Sequence, residues 1–271
     1  MDNFTMIRRI GKGTFGTVHK VRDNRNGKCY ALKICKADPD ELPGLLSEAL
    51  IMSQINHPNV TRCEEILLEK NKLLLKMKLM KCDLNTLIEK QEYDARNLFI
   101  QIASGLKYLH SKDVVHCDLK PANILYRKSH KRETVKISDF NSAQVGKICD
   151  TAGCTSWYMA PESIISAMYD KCSDIWSLAC ILFEMLTGHV LFPCDSDDDH
   201  FDMIVDLRLE KDYLYLFRAP NTDDKKSRIE EIEDKNARDL LAGMLCIDSV
   251  KRFTIDEVLN HPYCNFSSPQ V

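Results

Sequence analysis

Three stretches of this sequence carry residue types that can do chemistry, at spacings that suggest they do it together. Gly11-Lys12-Gly13-Thr14-Phe15-Gly16-Thr17-Val18 joins two β-favouring segments, and its glycines let backbone N–H groups come close to phosphate oxygens. Ala31-Leu32-Lys33 lies on the next such segment and Glu48 on the helix after it, and such a pair can hold an ammonium against phosphate oxygens. Each feature taken singly has a plainer reading: a Gly-rich hairpin is a turn, and a strand lysine is solvated at the end of its stem. The third stretch is His116-Cys117-Asp118-Leu119-Lys120-Pro121-Ala122-Asn123, with Asp139-Phe140-Asn141 starting sixteen residues beyond Asn123. The co-occurrence of all three lifts the phosphate reading above the plain ones.

Such an apparatus needs a frame, and the hydrophobic patterning predicts one. Residues 4 to 36 alternate FTMIRRI, TVHKVRD and KCYALKI with a turn at Asn24 to Gly27, which predicts three antiparallel strands. Leu45, Leu46, Ala49, Leu50, Met52 and Ile55 predict the apolar face of a helix that stops before His57-Pro58-Asn59, and LLLKMKL is the clearest later strand. After Cys82 the pattern turns helical. Asp94 can cap a helix whose stripe runs Ala95, Leu98, Phe99, Ile102, Leu106 and Leu109. Ser173 to Leu186 closes on Gly188 as a C-terminal cap, Asn236 to Leu245 repeats Ala237, Leu240, Leu241 and Met244, and Thr254-Ile255-Asp256-Glu257 reads as a capping box. The chain therefore reads as α+β, with a small β-rich lobe at residues 1–80 and a larger helical lobe at 81–271. A cleft between the lobes is the expected ligand site.

Composition narrows the classes further. With 271 residues, 44% of them hydrophobic, the chain can bury a sizeable core and is not disordered. Lys and Arg total 37 against 40 Asp and Glu, so the basic footprint of a nucleic-acid binder is missing. Twelve cysteines without a C-x-x-C pair argue against zinc, and they are expected to be reduced thiols, most of them small buried apolar residues. The most apolar stretch, Ile175 to Phe192, is interrupted by Glu184 and His189 and is too short for a membrane span. The opening MDNFTMIRRI carries no apolar signal segment, so the chain reads as intracellular, in nucleus or cytoplasm, with no membrane and no nucleic-acid partner.

The motifs together resemble the eukaryotic protein kinases, over essentially the whole chain from Ile10 to Pro262. The resemblance implies the bilobal protein kinase fold, ATP and Mg2+ as cofactors, and a protein substrate. By it, the loop Gly11, Lys12, Gly13, Thr14, Phe15, Gly16 and Thr17 covers the nucleotide phosphates. Lys33 binds the α and β phosphates and pairs with Glu48, while Asn123 and Asp139 hold magnesium. Asp118 accepts or orients the substrate hydroxyl proton, and Lys120 neutralises charge on the transferred group, a position that resembles the serine/threonine rather than the tyrosine class. Ile10, Val18, Ala31 and Leu125 become walls of the base pocket, Met77 its gatekeeper, Lys78 to Met80 the hinge, and Asp83 a neighbour of the ribose. Ala160-Pro161-Glu162 and Asp174 match the end of the activation segment and a central helix, with Arg252 the partner of Glu162.

Within that family, IGKGTFGTVHK, the nine-residue step from Glu48 to His57 and Trp157-Tyr158 before Ala160 resemble the cyclin-dependent kinases, with LTGHVLFPCDSDDDHFDMI shared by the wider group and its splicing-factor branch. The resemblance implies a role in cell-cycle or transcription control and a cyclin or other regulatory subunit at the Glu48 helix. The departures concern regulation. Ser47, Cys117 and Gln144 stand where those kinases carry three phosphate-receiving arginines. Asp150 replaces their activating threonine, with Thr151 adjacent and Thr155 further on. Phe15 replaces an inhibitory tyrosine, and Met159 an arginine that favours proline after the target residue. Asn141 replaces the glycine of the magnesium motif, and because Asn is the non-Gly residue that best tolerates φ > 0 the motif is expected to survive. The rival readings are a pseudokinase scaffold and a small-molecule phosphotransferase; the latter leaves Thr155 to Glu162, which resembles a peptide-docking segment, without a purpose.

Overall fold

The computed structural model describes residues 3–13, 16–36, 42–69, 71–130, 132–146, 149–150, 156–166, 168–193 and 228–265. Two compact units result: Met1–Cys82 with Leu125–Asn141, and Asp83–Ile124 with Ser142–Val271.

The first unit is built on a five-stranded antiparallel sheet in the order β1 (Phe4–Gly13), β2 (Gly16–Asp23), β3 (Cys29–Lys36), β5 (Lys72–Lys78), β4 (Cys63–Glu69). β1 and β2 pair until Gly13 faces Gly16, so the Gly-rich run is a hairpin. A Cβ on Gly16 would lie 2.2 Å from the Ile34 carbonyl oxygen, so β3 itself demands glycine there, whatever else the loop does. Phe4, Val21, Leu32 and Leu74 form the core on one side of this sheet. Helix α1 (Leu42–Gln54) buries Leu45, Ala49, Ile51 and Met52, but Leu46 and Leu50 are exposed. The single apolar face expected from sequence is thus corrected: α1 is apolar on two sides and only one is covered.

A hairpin of β8 (Ile124–Ser129) and β9 (Arg132–Ile137) joins this unit. Val60 bridges Ile137, and Lys136 donates to the Pro58 and Val60 carbonyls at 2.6 and 3.0 Å. Burial, with Lys78 and Arg62 nearby, lowers the Lys136 ammonium to about 8.

The second unit is helical. After β6 (Cys82–Asp83), α2 (Leu84–Ile88) leads to α3 (Ala95–Ser111), which starts where the Asp94 side chain accepts from Asn97 N–H and buries Leu98, Phe99, Ile102, Leu106 and Leu109. Each such side chain is worth about 1.5 to 3 kcal/mol of burial. α5 (Lys171–Thr187) is the axis of the unit, buried from Ser173 to Met185. Asp170 and Ser173 form a reciprocal capping box at its start, and Gly188, at φ 77°, ends it in the left-handed conformation. α3 packs against α5 and against α7 (Ile255–Asn260), and α6 (Lys235–Met244) packs on α5. The box at Thr254 and Glu257 opens α7.

Short strands β7 (Val114–Val115) and β10 (Gln144–Val145) pair, as do β11 (Cys149–Asp150) and β12 (Met168–Tyr169); α4 (Pro161–Ser166) precedes β12. The expectation that most cysteines are buried holds for four of the nine described. Of the described free cysteines, Cys35, Cys117, Cys180 and Cys246 are buried, while Cys29, Cys63, Cys82, Cys172 and Cys264 are partly exposed. Among the described residues no helix is long and apolar enough to cross a membrane, and no group of three or more His, Cys, Asp or Glu could hold a metal.

Candidate active site

In the sheet unit, strand periodicity puts Ala31 and Lys33 on one face of β3. The register sets Val18 opposite Lys33 and Met77 opposite Ala31, so these residues share that face. Gly11 faces Val18 across β1 and β2, with Ile10 beside it and half-exposed. Lys81 N–H donates to the Tyr126 carbonyl at 2.8 Å, which brings the chain at Met80 alongside the chain at Leu125.

Four polar side chains converge on that face. Lys33 Nζ donates to Glu48 Oε1 and Oε2 at 2.6 and 2.9 Å and to Asn141 Oδ1 at 3.0 Å, with Asp139 Oδ1 at 3.6 Å. The Asn141 amide nitrogen donates to Asp139 Oδ1. Burial works against the charge of Lys33, but the Glu48 and Asp139 carboxylates more than offset it and leave the ammonium above its ordinary value. Burial pushes the Glu48 carboxyl up, and Lys33 recovers only part of the shift. Asp139 differs: its side chain is 42% exposed against 1% for Glu48, so its oxygens remain reachable.

The positive φ sits at Asp139 (66°), and Asn141 is not among the residues with positive φ. The tolerance of Asn for positive φ, on which the expected survival of the motif rests, is therefore not called on at 141, and what the position uses is the amide. Phe140 between them is fully buried.

In the helical unit, Asp118 is flanked by a cation and an amide. Lys120 Nζ lies 2.8 Å from Asp118 Oδ2, and the Asn123 amide nitrogen donates to the Asp118 carbonyl at 2.8 Å and to its Oδ2 at 3.0 Å. The loop that carries them is held from behind by Asp174, fully buried on α5. Its carboxylate accepts from the backbone N–H groups of His116 and Cys117 at 2.9 and 3.1 Å and meets His110 Nε2 at 2.9 Å. Cys117 takes φ 63° in that loop. Asp118 N–H in turn donates to His116 Nδ1 at 3.3 Å.

The segment before α5 is tied to the same helix. Arg252 donates to Glu162 through both terminal nitrogens, at 2.6 and 2.9 Å, and to the Cys172 carbonyl at 2.9 Å. Ser173 Oγ also reaches Glu162 at 2.9 Å. Tyr158 donates to Glu184 at 2.8 Å, and Ser177 to the Tyr158 carbonyl at 2.7 Å. Asp83 uses one carboxylate oxygen to cap α2 through Thr86. Asp150 contributes backbone pairing with Met168. Thr14, Phe15, Thr151 and Thr155 lie outside the described residues.

Sequence reasoning placed Asp174 among structural positions but missed its brace on the catalytic-type loop, and it missed His110 entirely. The available signal was a carboxylate at the head of an apolar helix, where burial requires partners. The bridging amide of Asn141 had no local signal, since Lys33 is 108 positions away.

These arrangements define a class. The family model "Protein kinase domain" matches residues 4–264, and the chain belongs to that family, with its α+β fold of a β-rich N-terminal part and later helices. The chain is similar to "Probable serine/threonine-protein kinase pXi" of Dictyostelium discoideum, 34% identical over 263 residues, covering 94% of this chain and 35% of that protein. It is also 30% identical over 298 residues to "Cyclin-dependent kinase F-4" of Oryza sativa subsp. japonica, covering all of this chain and 64% of that protein. The chain thus spans between about one third and two thirds of the length of these relatives.

Proposed function

We propose that the chain is an ATP-dependent serine/threonine protein kinase of the cyclin-dependent type, acting on a protein hydroxyl. The observation that best supports this is Asp118 with Lys120 and Asn123 drawn onto its carboxylate, which sets a proton acceptor beside a cation and fixes both by hydrogen bonds. The residues suit magnesium ATP. Asp139 offers exposed carboxylate oxygens, and Asn123 an amide plane fixed by Asp118; such hard oxygen donors suit a metal that takes one or two protein ligands plus phosphate oxygens. When bound, magnesium ATP supplies the transferable phosphoryl group and the divalent charge that balances it.

The chain's own residues do the rest. Lys33 holds the α and β phosphates, and Glu48 keeps its ammonium in place. Asp139 and Asn123 hold the magnesium. Asp118 receives the proton of the substrate hydroxyl as its oxygen bonds to the γ phosphorus and the bond to ADP breaks, while Lys120 balances charge on the moving group. Ile10, Val18, Ala31, Met77 and Leu125 enclose the base, the chain from Lys78 to Met80 bonds its edge, and Asp83 serves the ribose with the oxygen that α2 does not use. The anchoring of residues 158 to 162 on α5 supports a docking platform for a peptide. A cyclin or other regulatory subunit at the Glu48 helix, which the name of the rice relative supports, belongs to the same reading, as does a nuclear role in cell-cycle or transcription control.

Radiolabelled phosphate transfer to a Ser/Thr peptide array, with and without candidate cyclins, tests it. Asp118→Asn is expected to reduce transfer by roughly a thousandfold or more with the fold intact. Transfer at the parental rate by that variant would refute the assignment. With Met159 in place of the arginine, proline after the target residue is expected to be preferred only weakly on the same array, and exclusive Ser-Pro or Thr-Pro labelling would contradict this.

A further inference from the structure

The Lys33 ammonium has three N–H donors and no acceptor. Glu48 takes two of them and the Asn141 amide oxygen the third. The other end of the same amide donates to Asp139. The orientation of the amide follows from its neighbours, since an ammonium can only donate and a carboxylate can only accept. Asn141 is therefore inserted between a cation and an anion whose nearest atoms are 3.6 Å apart.

That gap is the informative quantity. A free ammonium and carboxylate so close would contract to a charge-assisted bond of about 2.8 Å. Such a bond would hold the third proton of Lys33 and an oxygen of Asp139 in a contact between two full charges, stronger than the hydrogen bonds that the neutral Asn141 amide makes to each. A neutral amide gives each group one hydrogen bond without neutralising either. The bond from Asn141 back to Asp139 also closes a ring over Phe140, which is fully buried, and so steadies Asp139 in its left-handed backbone conformation.

We propose that Asn141 is a positioning residue, an amide spacer that stops Lys33 and Asp139 from pairing and keeps both available to the nucleotide phosphates and their magnesium. The inference rests on the kinase reading of those two residues, and it concerns only this chain's own groups. A glycine or alanine at 141 supplies no spacer, so magnesium must break a direct ion pair before it gains Asp139.

The test has two arms. Nucleotide-free crystal structures of the parent and of Asn141→Ala are compared first: the separation of Lys33 Nζ and Asp139 Oδ1 is expected to fall from 3.6 Å to about 2.8 Å in the variant. Asn141→Gly repeats the comparison. The second arm measures the magnesium concentration giving half-maximal binding of a fluorescent ADP analogue, expected to rise about tenfold in both variants, the scale of one hydrogen bond to a charged group. An unchanged separation, or a magnesium requirement that stays level or falls, overturns the spacer. A parent chain that binds no nucleotide at any magnesium concentration refutes the ATP reading instead, and the spacer is then decided by the separation alone.

Discussion

The sheet unit contains two ion clusters of similar size and opposite design. Asp23 and Glu65 face Arg25 and Lys76: Arg25 lies 2.8 Å from Asp23 and 2.5 Å from Glu65, and Lys76 lies 3.2 and 2.6 Å from the same pair. Two carboxylates meet two cations, so the set is neutral. Its hydrogen bonds to Arg25 hold Asp23 well below the usual carboxylate range and bring Glu65 down to about 2. The second cluster has Glu48 and Asp139 against Lys33 alone, a net charge of one minus, with the Glu48 carboxyl pushed up by burial and Asp139 left exposed. The first cluster is electrostatically closed. The second is short of one cation, a deficit that a bound divalent cation would relieve.

The comparison breaks most visibly under matched lysine substitutions. Lys33→Met is expected to lower phosphate transfer per folded molecule by roughly a thousandfold, the scale of removing a cation aimed at a reacting phosphate. Glu48 is buried and loses its cation in that variant, so the melting temperature falls too and the loss of transfer is what sets the variant apart. Lys76→Met is expected to keep transfer per folded molecule while lowering the melting temperature, because Asp23 is fully buried and loses a partner. Transfer assays and thermal melts on both variants check this. Equal damage to activity by the two would erase the distinction.

A closed pair in the helical unit gives the next effect. Arg252 is fully buried and bidentate on Glu162, whose side chain is 24% exposed. Arg252→Met is expected to cost about 3 kcal/mol, the low end for breaking a buried pair, since water can reach the carboxylate that remains. Urea unfolding measures it, and a loss under about 1 kcal/mol would class the pair with surface salt bridges.

Smaller still is a pH effect confined to the closed cluster of the sheet. Glu65 is depressed from an ordinary 4.5 to about 2 by Arg25 and then Lys76. A depressed carboxyl stabilises the fold above the unfolded value and loses that contribution as pH falls through the folded one. The stability gap between the parent and Glu65→Gln is therefore expected to be full at pH 7 and to shrink between pH 4.5 and about 2. Urea titrations across that range check it; a gap that widens on acidification would contradict the assignment.

These differences show what can be read from residue order. The strands, the α3 stripe with its Asp94 cap and the box at Thr254 are legible because periodicity and cap chemistry are local. The residues proposed to handle phosphate are legible because that chemistry would restrict the residue types at each spacing. Leu46 and Leu50 were misassigned because α1 is apolar on two sides and only tertiary packing chooses between them. The open cluster was legible in its members and not in its balance, since the Asn141 bridge and the Asp174 brace join residues far apart in the chain.

The smallest expected effect is none at all, and it concerns the absent phosphate pocket. Where the related kinases would place an arginine, Cys117 is buried in an apolar cluster with Val115 and Tyr169. Tyr169 belongs to β12, whose ladder pairs Cys149 with Tyr169 and Asp150 with Met168. The start of the segment is thus held by backbone pairing on a strand that packs against the loop residue, with no ion pair to a phosphate required. Its far end is held by Glu162 on Arg252. Both anchors are made by protein groups alone, which is the basis for expecting activity that does not depend on a phosphate. Phosphatase treatment and Thr151→Ala are each expected to leave transfer unchanged within the scatter of the assay. A large loss in both would mean that Thr151 has taken over the role of the missing threonine and that the apolar cluster at Cys117 does not suffice to hold the segment.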